Sequence, residues 1–380
     1  MEKRHIKGWI ACLLLLLLTA CADSGDAVLL HREADTPDPV LTIYVYAPER
    51  PVITRASEVD ANNDENVIKQ LHIWVFETGT DDLVGYLNPK DMPTSEEGTV
   101  YQMNVSKDFA KAVERPNVDV YVVANAAAAG LSLSESTTRS ALEAAKIGTD
   151  RFGVDAPTTS IPDGLPMTGV LRNQPVVGEA PVLRMGSYDE MAKVTLLRAV
   201  SKVRFMFSST PGTTLTIQHI TIDGAMIPVE EYLFLNDEGT YRIGSEYETS
   251  AAQLLQAELA SVNTCDDPTA YAWHDQEAQT YENLMAQGLD DGQLSQAGPY
   301  YFKETDRKIS GTLTYQVDGG PSSTATFSMS AEDVNNSFAR NHSWIVYAYY
   351  AGNKDSGLIV SLTLAQDWQK GSYNYTEIGY

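Results

Sequence analysis

Two positions near the start of this 380-residue chain could undergo covalent chemistry. The thiol of Cys21 follows an apolar run and two small residues, where it could accept an acyl chain. The bond between Arg55 and Ala56 lies in a polar segment, and a trypsin-like protease favours an exposed Arg that precedes a small residue. Arg50 is a poorer candidate because the ring of Pro51 obstructs such cleavage. We therefore predict proteolysis between Arg55 and Ala56.

The residues before Cys21 are typical of an export signal. Lys3, Arg4 and Lys7 precede the apolar segment 9–18, which is too short to span a bilayer stably. The sequence Leu-Thr-Ala-Cys at 18–21 resembles the lipobox of bacterial lipoproteins, which implies that Cys21 becomes the acylated first residue. The alternative that stays open is an ordinary signal peptide in which the cysteine occurs by chance.

Catalytic chemistry has little support in the sequence. The six histidines show no metal-ligand or catalytic-triad spacing, and no glycine-rich phosphate loop occurs. His274 and Asp275 near Cys265 could be drawn as a metal cluster, but a solvated loop is the better interpretation. We predict a protein that is not an enzyme, with no catalytic residue, metal or cofactor.

The charge balance excludes one class of partner. The net charge is −24 at pH 7, and the chain contains no block of basic residues. Such a surface repels nucleic acid, so we predict no nucleic-acid partner.

Alternating apolar residues predict a chain built mainly of strands. Val40–Tyr46 is the first of these segments, with Leu41, Ile43 and Val45 on one face. Further strands are predicted at 67–76, 118–124, 194–207, 214–222, 312–317, 324–329, 344–350 and 358–364. Helices are predicted at 137–146 and 251–261. The fold class is therefore all-β with minor α, and many short strands separated by turn residues favour β-sandwiches.

Composition suggests how the chain is divided. We predict a lipoprotein signal at 1–21, a propeptide with a removable first strand at 22–55, an N-terminal β-sandwich at 56–190, a C-terminal β-sandwich at 191–352 and a C-terminal donor-strand segment at 353–380. The boundary near 190 is placed after the Pro/Gly-rich stretch 156–188, which we interpret as the inter-domain region.

Several stretches together resemble a known family. They are Leu41–Val45 followed by Thr54-Arg55-Ala56, then Ile68–Phe76, Tyr121–Asn125, Leu197–Val203, and Arg340–Trp344 with a closing segment that contains Trp368. In this order and spacing they resemble the FimA-type major fimbrillins of Bacteroidales, the subunits of type V pili. The resemblance implies two transthyretin-like Greek-key β-sandwich domains in tandem.

The resemblance also implies how such a subunit assembles. The subunit is exported as a lipoprotein anchored in the outer membrane, and an Arg-specific surface protease removes the first strand. A C-terminal strand from an identical or related subunit then fills the vacated groove, and the product is an adhesive pilus on the cell surface. A host glycan or protein would be a further partner.

The two ends of the chain carry the pattern that strand exchange needs. A donor must present an apolar face with the same period of two as the lost strand. Leu41, Ile43 and Val45 are that face in the removable strand. Four residues near the C-terminus offer a longer one and are the predicted donor face: Leu358, Val360, Leu362 and Leu364.

Other interpretations remain open at this point. Val40–Tyr46 could stay as the first strand of a monomeric lipoprotein, and 358–364 could be the last strand of its own domain. The chain could also be an anchor or tip subunit of the same pilus, or a surface lipoprotein that binds glycan or protein without polymerising.

Overall fold

The computed structural model describes residues 37–48, 63–93, 98–154, 161–236, 242–264, 294–328, 338–350, 352 and 357–365. The bounds of the first ten strands are β1 Val40–Tyr46, β2 Leu71–Glu77, β3 Leu83–Leu87, β4 Thr99–Asn104, β5 Val118–Ala124, β6 Lys146–Ile147, β7 Met167–Gln174, β8 Val176–Glu179, β9 Val182–Met185 and β10 Lys193–Thr195. The next ten are β11 Leu197–Arg198, β12 Ser201–Ser209, β13 Leu215–Ile222, β14 Glu231–Tyr232, β15 Ala252–Gln253, β16 Ser295–Phe302, β17 Ser310–Val317, β18 Ser322–Ser328, β19 Ser343–Tyr350 and β20 Leu358–Ala365. The prediction of an all-β sandwich fold with minor helix is confirmed.

Helical segments in the described residues are short. They are α1 Lys107–Lys111, α2 Arg139–Ala144 and three 3-10 turns at Asn63–Asn66, Ala126–Ala129 and Gly224–Met226. Helix α2 lies within the predicted helix 137–146. Its start is fixed by Thr138, whose side chain accepts a hydrogen bond from the backbone N–H of Ala141.

The first hydrophobic core lies between two five-stranded sheets. One has the order β10-β1-β9-β8, with β4 also paired to β1, and the other has the order β11-β7-β5-β2-β3. Their inward residues share one buried cluster, which includes Ile43, Val75 and Val122. Burial of such side chains is the main force that holds the two sheets together.

The second hydrophobic core lies between two four-stranded sheets. Their orders are β16-β12-β19-β20 and β15-β13-β17-β18. Strand β12 runs parallel to β19 over eight residues, from Lys202 to Ser209. Both strands are buried along their whole length, so they form the centre of this half of the molecule.

Two sequence predictions about the elements are wrong. No helix forms at 251–261; strand β15 begins there, and Leu259 instead exchanges two backbone hydrogen bonds with Ile217 of β13. The described part of the stretch 156–188, which begins at residue 161, is not an inter-domain linker, because β7, β8 and β9 belong to the sheets of the first core. Strand β11 after residue 190 still pairs with β7. The division into two domains, with its boundaries, stays a prediction.

Candidate functional site

Strand β1 is an internal strand, with neighbours on both edges. It pairs antiparallel with β4 from Val40 opposite Asn104 to Val45 opposite Thr99. Because β4 covers one edge, the parallel pairings with β9 at 40–42 and with β10 at 44–46 must lie along the other edge. Its boundaries agree with the predicted strand. Removing β1 would therefore leave two unpaired edges in the middle of a sheet.

The inward face of β1 is the one that the alternating pattern predicted. Leu41, Ile43 and Val45 are all fully buried in the first core. Burying such a side chain stabilises a fold by about 1.5–3 kcal/mol. An empty groove in place of β1 would thus expose apolar surface as well as backbone hydrogen-bonding groups.

The outward face of β1 ends in a close aromatic contact. The ring of Tyr46 lies against Gly98, and a Cβ atom added to Gly98 would meet Cζ of that ring at 2.6 Å. The Lys193 ammonium lies 6.0 Å from the centre of the same ring. Gly98 was not identified from the sequence, since a lone glycine in a polar stretch carries no distinguishing signal.

The predicted processing sites cannot be located in the fold. Cys21, Arg55 and Ala56 lie outside the described residues. Pro48 is the last described residue before the cleavage segment, and Asn63 is the first one after it. Cleavage at Arg55 and lipidation at Cys21 therefore stay predictions.

The chain that follows the cleavage segment is held by a buried charge cluster. Glu65, in the 3-10 turn Asn63–Asn66, is fully buried. Lys202 Nζ donates to both of its carboxylate oxygens, at 3.1 and 2.9 Å, and the Tyr301 hydroxyl donates to Oε1 at 2.6 Å. Arg198 bonds the side-chain oxygen of the adjacent Asn66. This turn is thus fixed to β11, β12 and β16 independently of β1.

The predicted donor segment forms strand β20 within its own chain. It pairs antiparallel with β19 over all eight residues, from Leu358 opposite Tyr350 to Ala365 opposite Ser343. Leu358 is buried and Val360 packs against the second core. Positions 362 and 364 lie opposite the core residues Val346 and Trp344, while the side-chain surroundings of Leu362 and Leu364 lie outside the described residues. The strand is confirmed, and its role as a donor stays a prediction.

A second buried charge cluster surrounds Arg340. Its guanidinium donates to Glu304 Oε1 at 2.7 Å, to Glu231 Oε1 at 2.8 Å and to the backbone oxygens of Tyr232 and Leu233. Burial raises the pKa of Glu231 well above its ordinary value, although Arg340 opposes that shift. The sequence showed Arg340 only as part of a family-like stretch, because hydropathy alone does not predict a buried arginine.

No group of three or more metal-ligating side chains occurs in the described part of the chain. Nor is any helix among the described residues long and apolar enough to cross a membrane. The feature with functional potential is the place of β1, which is one strand wide and lies within a sheet, between β4 on one edge and β9 with β10 on the other.

Comparison with known proteins agrees with this geometry. The family model of the major fimbrial subunit protein FimA matches residues 41–200, which include nearly all of β1 and most of the first core. The resemblance to FimA-type fimbrillins is thereby confirmed. No curated protein sequence matches.

One solved structure extends the likeness of fold beyond residue 200. A cell-adhesion candidate from Bacteroides eggerthii has a TM-score of 0.50 and 14% identity, over 87% of this chain and 96% of its own. A cell-adhesion candidate from Parabacteroides distasonis has a TM-score of 0.49 and 14% identity, over 86% and 96%. The C-terminally truncated tip fimbrial protein Mfa3 from Porphyromonas gingivalis has a TM-score of 0.45 and 13% identity, over 87% and 99%. The first of these shows a shared fold.

Proposed function

We propose that this protein is a structural subunit of a surface pilus that assembles by exchange of β1 for a strand of another subunit. The match of residues 41–200 to the fimbrial subunit family supports the subunit role. The observation that carries the mechanism is the position of β1, which pairs on both edges and buries three apolar side chains. A strand so placed can be replaced only by another strand with the same alternation.

The proposed sequence of events begins with export as a lipoprotein anchored in the outer membrane through Cys21. An Arg-specific surface protease then cuts between Arg55 and Ala56, which separates β1 from the rest of the chain. The buried turn around Glu65 supports this order, because it holds the new N-terminal segment while β1 leaves. The product is a non-enzymatic, adhesive fibre at the cell surface, where a host glycan or protein would be its ligand.

The incoming strand is proposed to be 358–365 of an identical or related subunit. Its inward positions lie opposite core residues of β19, so it already has the alternation that the groove requires. Because β20 is paired in its own sheet, donation requires that it first separate from β19. Residues beyond Ala365 are the alternative source of the strand.

One observation favours a second candidate function. The complete pairing of β20 with β19 is what a terminal subunit would show if it accepted a strand and donated none. Such a subunit would be cleaved and would occupy the tip of the fibre, without forming polymers of its own.

The decisive test replaces the proposed cleavage residue. Arg55→Ala should be exported but should form no ladder of oligomers on a gel run without boiling. N-terminal sequencing of wild-type material from the cell surface should begin at Ala56. Arg50→Ala is the matched control, since Pro51 protects that bond, and it should polymerise normally.

Each outcome has a distinct meaning. Ladders of the usual size from Arg55→Ala would overturn the proposal. Wild-type protein that starts at Ala56 but forms no polymer alone, while adding to a preformed fibre, would support the terminal subunit instead.

A further inference from the structure

The last residue of β1 lies opposite a glycine on the neighbouring strand. The antiparallel ladder pairs Val45 with Thr99, so the same register places Tyr46 opposite Gly98. The Leu196 N–H donates to the Tyr46 backbone oxygen at 2.9 Å, which fixes this end of the strand from its other edge. The side chain of Tyr46 is therefore held on the outer face of the sheet, directly across from Gly98.

A side chain at position 98 would displace this ring from its present place. A Cβ atom at Gly98 would lie 2.6, 2.7 and 2.8 Å from three ring atoms of Tyr46. Contacts so short do not occur without displacement of one partner. An aromatic ring that covers a cross-strand glycine shields the exposed backbone and stabilises the pairing. We refer to Gly98, with Lys193 at 6.0 Å from the ring centre, as the Gly98 notch.

The proposed donor cannot make this contact. Strand β20 has the sequence Leu-Ile-Val-Ser-Leu-Thr-Leu-Ala and contains no aromatic residue. When Val360, Leu362 and Leu364 take the places of the three inward residues of β1, Ala365 falls at the place of Tyr46. In that register no ring of β20 covers the Gly98 notch.

On the basis of the proposed strand exchange, we propose that the Gly98 notch is a specificity determinant of the groove, which distinguishes the original strand from the donor. Tyr46 is the residue of β1 nearest to the cleavage segment. After cleavage this end of β1 becomes a free chain end, and the ring on Gly98 slows its detachment. The contact thus retains β1 in the groove until a donor is present and is absent from the assembled fibre.

A double-mutant cycle on the uncleaved chain tests the contact itself. Gly98 has a φ of 67°, so Gly98→Ala strains the backbone whatever occupies the groove. In the Tyr46→Ala background the backbone strain at position 98 remains, but the steric clash with the ring is absent. The difference between the two backgrounds therefore measures the clash alone. We expect Gly98→Ala to lower the folding equilibrium constant about tenfold more in the Tyr46 background than in the Tyr46→Ala background. Equal losses in both backgrounds would overturn the proposal, whether or not the protein polymerises.

An exchange assay tests the consequence for specificity. Protein cleaved at Arg55 is mixed with a synthetic peptide of residues 358–365, and release of the β1 fragment is followed with time. Tyr46→Ala should release β1 about tenfold faster than wild type, whereas Tyr46→Phe, which keeps the ring, should not. Tyr44→Ala is the matched control, because Tyr44 lies on the same face opposite Val100 and away from Gly98.

A modified peptide gives the converse result. The peptide with Ala365→Tyr should cover the notch and bind the emptied groove about tenfold more tightly than the unmodified peptide. Equal release from wild type and Tyr46→Ala would overturn the retention role. Coupling in the uncleaved chain with no displacement by either peptide would overturn 358–365 as the donor and the specificity role together, and would leave the contact as a structural one.

Discussion

Glu65 lies only nine positions after Ala56 in the sequence, yet its carboxylate is among the fully buried charges of the molecule. Its partners Lys202 and Tyr301 are also fully buried and come from strands of the second half of the chain. Burying a carboxylate without a cation costs free energy, so Glu65 is stable in the interior only beside Lys202. The ion pair therefore acts mainly by determining where this turn lies. The charged side chains thus fix the chain downstream of the cleavage segment.

Removing the cation should reveal that constraint. Lys202→Met leaves Glu65 buried and without its ammonium, and we expect the free energy of unfolding to fall by about 3–5 kcal/mol. Lys107→Met is the control, because the pair of Lys107 with Asp38 is exposed and contributes about 0–1 kcal/mol. Urea denaturation of both variants makes the measurement. A loss from Lys202→Met no larger than that from the control would contradict this account of the turn.

Sequence patterns could not predict this cluster. Lys202 lies in Ser-Lys-Val-Arg-Phe-Met-Phe, where alternation predicts a polar face directed to solvent. In the fold both faces of β12 are covered, so its charged residues are buried along with the apolar ones. The pairing of Lys202 with Glu65, which is 137 positions away, depends on tertiary structure and has no local signal.

Single strands were more predictable than helices. Val40–Tyr46 was predicted with its observed bounds, because strict alternation over seven residues specifies both the strand and its inward face. At 251–261 the leucines have helical spacing, but β13 satisfies the backbone of Leu254 and Leu259 through Ile220 and Ile217. Tertiary pairing overrides a weak local preference there.

The order of strands in the sheets was not predictable from local patterns. Strand β1 lies between β4 on one edge and β9 with β10 on the other, although β10 is about 150 positions distant in the sequence. The Pro/Gly-rich stretch before residue 190 was misinterpreted for the same reason. Its short strands are stabilised by distant partners.

Two truncations separate the possible donors. Deleting 366–380 leaves β20 intact, so the second core should keep its stability, and polymers should still form if 358–365 is the donor. Deleting 358–380 also removes β20 from its pairing with β19 and exposes part of the second core. We expect that chain to lose polymerisation and also stability, measured by thermal denaturation.

The smaller truncation is decisive for the donor. If the chain that ends at Ala365 folds normally but forms no polymer, the strand is supplied by residues after 365, and 358–365 is only the last strand of its own sheet. The full-length chain in the same assay is the control for assembly.

The described residues from Asp38 onward form one compact unit, and each of the two cores contains side chains from the other half of the chain. Leu233 and Phe234 follow β14 in the second half of the chain but are buried in the first core, where Phe234 meets Tyr121 edge to face with ring centres 5.2 Å apart. Val154, from the first half, is buried in the second core. The two cores are therefore joined by side-chain contacts as well as by the backbone.

Arg340 fixes the segment that joins the cores, because its guanidinium bonds the backbone oxygens of Tyr232 and Leu233 as well as two buried carboxylates. We expect wild-type protein to unfold in a single calorimetric transition that includes both cores. Arg340→Met leaves Glu231 and Glu304 buried without this cation, and should lower the free energy of unfolding by about 3–5 kcal/mol. It should also separate the single transition into two, since the backbone of Leu233 loses its hydrogen bond from Arg340.

Arg307→Met is the control, because Arg307 stacks on Tyr247 at the surface and should leave one transition. Two transitions in the wild type would show that the cores are independent, and one unshifted transition in Arg340→Met would show that the arginine does not couple them.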